Sequence, residues 1–153
     1  MSGSLNGAQV SVRAVSSDPR GVSVYARALE TEVGVPLSFD IQEAKLTGIE
    51  HLLGALASDL LGGFRRLAHR RRISIDELEA VLKAEVSDTL AYLGVVGEGG
   101  TPRITKILAK VYAGTGAPES DVRAVWNEAL ALAPIVNTLR AASELDMEFI
   151  VTS

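Results

Sequence analysis

The chain of 153 residues contains no cysteine. Disulfides, thiolate metal ligands and thiol nucleophiles are therefore all excluded. Histidine is nearly as scarce, with only His51 and His69. A histidine-rich metal site is not expected, and nothing in the composition implies a cofactor. No apolar run reaches the roughly 18–20 uncharged residues of a membrane span. The first residues, MSGSLNGAQVSVR, lack a basic segment followed by an apolar one, so they do not read as a secretory signal. A cytoplasmic location without membrane contact is the default expectation. Positive charge is not in excess either: the net charge is −4, which gives no general pull toward nucleic acid. Internal repeats and low-complexity segments are absent.

What is present is material for a core. Hydrophobic residues make up 47% of the chain, and the mean hydropathy is +0.22. The length suits one domain over 1–153, able to bury about two-thirds of the surface its unfolded chain exposes.

Residues 8–15 alternate, with Val10, Val12 and Ala14 on one side, the period of a half-buried strand. SSDPRG (16–21) is a turn by composition. Residues 22–31 alternate again and complete a hairpin. A third strand is expected over 34–40, with Pro36 at its start or on an edge. Residues 48–69 carry the longest helical pattern. Its apolar positions cover more than one face, as in a helix buried on several sides. Gly54, Gly62 and Gly63 in it suggest close approach of another backbone. Its end, RRLAHRRR (65–72), suits the negative end of the helix dipole. Without interleaved aromatic residues it reads as a solvated helix end, not a nucleic-acid patch. Residues 73–88 have helix-favouring types in strand spacing and are assigned to a strand. A loop follows (94–103), then a strand over 104–113 with Lys106 and Lys110 on its polar face. A helix over 118–132 places Trp126 in its inner stripe. Pro134 opens a second short helix, and 145–151 closes as a strand. The order is β-β-β-α-β-β-α-β, an α+β layout.

Two local motifs stand on this frame. GIEHLLGALASD (48–59) resembles the Pro-x-Glu-x-Leu-Leu-x-Ala-Leu-x-x-Cys pattern of the OsmC/Ohr family of thiol-dependent peroxidases. Glu50, Leu52, Leu53, Ala55 and Leu56 match, Gly48 stands where proline is common, and Asp59 replaces the peroxidatic cysteine. APIVNTL (133–139) resembles the family's Cys-Pro-Val/Ile helix start: Pro134, Ile135 and Leu139 match, and Ala133 replaces the resolving cysteine. The resemblance covers about residues 8–151. It implies antiparallel sheets around a long central helix, in an intertwined homodimer. It also implies an active-site arginine from the first hairpin, for which Arg20 is the positional candidate. This is a stress-response family, but its reaction needs a thiolate and a second thiol. Asp59 and Ala133 supply neither.

The candidate site residues are thus Asp59, Ser58, Glu50, His51, Arg20 and Ala133. Asp59 is read either as a ligand-anchoring or acid/base carboxylate, or as a structural carboxylate paired with Arg66 or Arg20. Glu50 and His51 suggest acid/base chemistry, yet neighbouring helix residues diverge by about 100°, and a first-turn glutamate is favoured by the dipole alone. The readings of function run in order. First is a homodimer binding a small, apolar ligand in the former active-site pocket. Next are an enzyme with non-redox acid/base or hydrolytic chemistry at Glu50, His51 and Asp59, and a structural or regulatory partner. Residual hydroperoxide reduction comes last.

Overall fold

The computed structural model describes residues 7–34 and 45–153. They form two compact units, the first ending at His51 and the second running from Leu52 to Ser153.

The first unit is built on a three-stranded antiparallel sheet of β1 (Arg13–Asp18), β2 (Gly21–Ala26) and β3 (Leu29–Gly34). The β1–β2 turn is tied by Asp18, whose Oδ1 accepts the Arg20 backbone N–H at 2.7 Å. Two expectations shift here. The alternation of 8–15 becomes strand only from Arg13, which pairs with Tyr25. Val10 and Val12 precede β1 and stay exposed. The single strand expected over 22–31 is two strands. The chain reverses at Arg27 and Ala28, with Ala26 opposite Leu29 and Arg27 at φ 58°. A turn without Gly, Asn or Asp carries no compositional signal. The strand expected over 34–40 lies, beyond Gly34, outside the described residues.

Helix α1 (Gly48–Arg70) starts in the first unit and continues into the second. Its start is a capping box: Glu50 Oε2 accepts the Thr47 N–H at 2.7 Å, and Thr47 Oγ1 accepts the Glu50 N–H at 3.3 Å. In the second unit follow β4 (Glu77–Val86), the short α2 (Thr89–Tyr92), β5 (Ile104–Gly114), α3 (Glu119–Ala131), α4 (Pro134–Arg140) and β6 (Glu144–Thr152). The residues of 73–88 do resolve by spacing: Leu78, Ala80, Leu82 and Ala84 of β4 all pack against the core. The expected antiparallel pairing holds between β4 and β5, while β6 adds to β5 in parallel. The reason is the connection. α3 and α4 carry the chain back to the start of β5 before β6 begins, as a parallel neighbour requires.

The core of the second unit joins three surfaces. One is the α1 stripe Leu56, Leu60, Phe64 and Ala68, spaced by four. The others are the inner face of β5 (Ile107, Ala109, Val111, Ala113) and the α3 stripe Val122, Val125, Trp126 and Ala129. At the centre, Trp126 stacks on Phe149 with centroids 4.5 Å apart, and Phe64 meets both edge-on at 5.8 and 5.5 Å. On the opposite face of the sheet Lys110 pairs with Glu148 at 3.2 Å, and Lys106 with Glu144 at 3.5 Å.

Candidate functional site

Position 59 follows from helix geometry. Leu56 and Leu60 point into the core at 0% and 2% exposure. Asp59, one residue before Leu60, lies about 100° round the helix from it and is half-buried. Helix α4 presents its first turn to this carboxylate. Pro134 occupies N1, where a missing N–H costs nothing, so the first free donors belong to Ile135 and Val136. Asp59 Oδ2 accepts both, at 2.8 Å from Ile135 N and 3.3 Å from Val136 N. The N-cap residue itself is Ala133, which has no side-chain acceptor. Asp59 therefore caps α4 from another helix, satisfying two orphan donors and opposing the positive end of the dipole.

This revises the expected pairing with an arginine. Among the described residues Asp59 makes no ion pair; its partners are peptide N–H groups. Arg20 is instead engaged with Asp18, its Nε 3.5 Å from Oδ1. Arg66 lines a cleft beside Asp59 without bonding to it.

That cleft has a volume of about 430 Å³ and is walled by Ala55, Ser58, Asp59, Gly62, Gly63, Arg66 and Ile135. The close backbone approach expected at the glycines is not made by the described residues of this chain. A Cβ added at Gly54, Gly62 or Gly63 would meet no atom within 4 Å, so no backbone of the described chain approaches them closely. Gly62 and Gly63 leave the cleft open. Asp59 Oδ1 has no protein partner among the described residues.

Asp59, Ser58 and Ala133 are thus gathered where α1 meets α4. Glu50, His51 and Arg20 belong to the first unit. The Thr47 backbone N–H, and after it the Thr47 hydroxyl, hold the Glu50 carboxyl below its ordinary range. His51 keeps a buried Nε2 with no hydrogen-bond partner among the described residues. Among the described residues no three His, Asp or Glu side chains come together as metal ligands. Sequence reasoning named Asp59 but missed its donors, because a backbone N–H has no residue signature. The capping box was readable as Thr47-x-x-Glu50.

No family model matches the chain, and no curated protein matches it. Solved structures do. An OsmC-like protein from Mycoplasma pneumoniae superposes with a TM-score of 0.77 over 95% of this chain and 99% of that one, at 13% identity. The chain has the OsmC-like fold. An organic hydroperoxide resistance protein OsmC from Legionella pneumophila matches with a TM-score of 0.66 at 11% identity, over 94% of this chain and 97% of its own. The organic hydroperoxide resistance protein OhrB of Bacillus subtilis matches with a TM-score of 0.61 at 13% identity, over 92% and 97%. Identities this low establish the OsmC-like fold alone. Within that fold this chain holds no thiol.

Proposed function

We propose that this chain is a homodimeric small-ligand-binding protein that uses the cleft beside Asp59 and is not a thiol peroxidase. The observation that carries the reading is the open cleft of about 430 Å³ at Asp59, with Oδ1 left unpartnered among the described residues. Its walls of Ala, Gly and Ile suit a small apolar body, and Asp59 and Ser58 offer the polar contacts. Ala133 belongs to the proposed set on the strength of the resemblance, which also names Glu50 and Arg20 of the first unit. The chain is read as one domain, since the Mycoplasma pneumoniae structure matches 95% of it.

Dimerisation has its own support. Among the described residues of the first unit no hydrophobic side chain is buried. A three-stranded sheet needs an apolar surface to pack on, and a second copy would supply one. Another backbone against Gly54 would also explain a glycine that costs about 1 kcal/mol of helix propensity.

A screen of small apolar molecules by thermal shift tests the ligand reading. Compounds that raise the midpoint of the wild type and not of Ser58→Trp, which fills the cleft, support it. A screen without any such compound sinks it. Light scattering tests the dimer, against a chain mass of 16.1 kDa. A cytoplasmic location goes with the reading and is checked by cell fractionation.

A structural role is the second reading, favoured by the capping of α4 by Asp59. Under it Asp59→Ala changes stability or assembly and no binding. Acid/base chemistry draws no support from Glu50, whose carboxylate is held by Thr47.

A further inference from the structure

A second cleft, of about 610 Å³, lies further along α1. One wall carries Arg65, Arg66 and His69 from the helix. The other comes from the segment after it, with Ile73, Ser74 and Ile75. Among the described residues no carboxylate lines it. Arg65 is held in place by a neutral group, donating from Nη1 to the Ile75 carbonyl at 3.2 Å, and makes no ion pair among the described residues. Arg66 and His69 make no hydrogen bond or ion pair among the described residues. Of the cations from Arg65 to Arg72, only Arg71 has an acidic partner there, Glu128. The nearest acid on the segment, Asp76, lies outside the lining and accepts a long bond (3.4 Å) from Ser74 Oγ.

The helix dipole does not account for this cluster. Its effect is confined to the last turn, where His69 and Arg70 stand. Arg65 and Arg66 sit upstream of that turn. Two guanidinium groups lining one cleft, with no carboxylate in that lining among the described residues, suit the charge of a carboxylate or phosphate. Ile73 and Ile75 add an apolar surface for whatever carries the anion.

We propose that this cleft binds the oxyanion head of a small organic acid, a carboxylate or a phosphate monoester, with Arg65 and Arg66 as the charge contacts. The site is separate from the Asp59 cleft, although Gly62 and Arg66 border both.

The test is calorimetric titration of the full chain at low ionic strength with inorganic phosphate, octanoate and neutral methyl octanoate. At about 10 mM, saturable binding with a millimolar constant is measurable. Phosphate or octanoate is expected to bind and the ester not. Whichever anion binds tighter identifies the head group. Arg66→Gln removes no protein hydrogen bond among the described residues and is expected to cost about tenfold in affinity, as for loss of a charge-assisted bond. Arg70→Gln removes the same charge outside the lining and is expected to leave binding unchanged. The proposal is overturned by absence of saturable anion binding, or by equal losses in Arg66→Gln and Arg70→Gln. A change of oligomeric state in Arg66→Gln would also overturn it, because the cleft would then be an interface.

Discussion

The Asp59 carboxylate and the Ile135 backbone N–H, from residues 76 positions apart, meet at 2.8 Å. The contact joins the middle of α1 to the first turn of α4. It also explains why α4 tolerates alanine at its N-cap, since the acceptor missing from Ala133 comes from Asp59. In the OsmC/Ohr resemblance these are the two thiol positions. Here a carboxylate at one serves the helix that begins at the other.

Removing that acceptor should destabilise the second unit. Asp59→Ala is expected to cost about 1 kcal/mol, the usual value for losing a helix cap. Asp59→Asn keeps an acceptor oxygen and should cost less. Urea unfolding of the three proteins orders them, and equal midpoints for wild type and Asp59→Ala would show the cap to be energetically idle.

The α1 capping box should fail in acid. With its folded pKa depressed by Thr47, Glu50 contributes its full stabilisation above glutamate's ordinary 4.5 and loses it as pH falls through the lower folded value. A carboxyl-carbon NMR titration should place the Glu50 midpoint below 4.5. Glu50→Gln should remove this component of the acid response.

Phe64 is fully buried and touches both Trp126 and Phe149. Phe64→Ala should cost about 3–5 kcal/mol through lost burial and the cavity left behind. Near-ultraviolet circular dichroism should report loosened packing around Trp126, and Phe64→Leu should retain more of the signal.

Gly21 starts β2 opposite Gly34. A Cβ there would stand 2.6 Å from the Val33 carbonyl oxygen, backbone that moves only with its strand. Gly21→Ala is expected to destabilise the first sheet by about 1–3 kcal/mol, as overpacking does. Amide exchange in β2 and β3 should accelerate while β5 stays protected.

Without a thiol, the protein should not reduce peroxides. Incubated with dithiothreitol and an organic hydroperoxide, it should consume none above the buffer rate, and Asp59→Asn should behave identically. Turnover above buffer would require a chemistry that no cysteine supplies.

Several features were settled by residue order alone. The absence of cysteine removed the two thiols that the resembled family's reaction needs. The alternation of Ile107 to Ala113 predicted the buried face of β5, because that period follows from backbone geometry, whereas 48–69 was expected to be buried on several sides and, among the described residues, only its stripe Leu56, Leu60, Phe64 and Ala68 is buried. The split of residues 22–31 into β2 and β3 was not legible, since Arg27 enters the left-handed region without a turn residue to announce it. The partner of Asp59 was not legible either. Sequence marks charged side chains, so it suggested Arg66 or Arg20. Only the tertiary structure could bring the N–H groups of Ile135 and Val136 to the carboxylate, because a backbone donor becomes available only where a helix begins and only to what the fold places beside it.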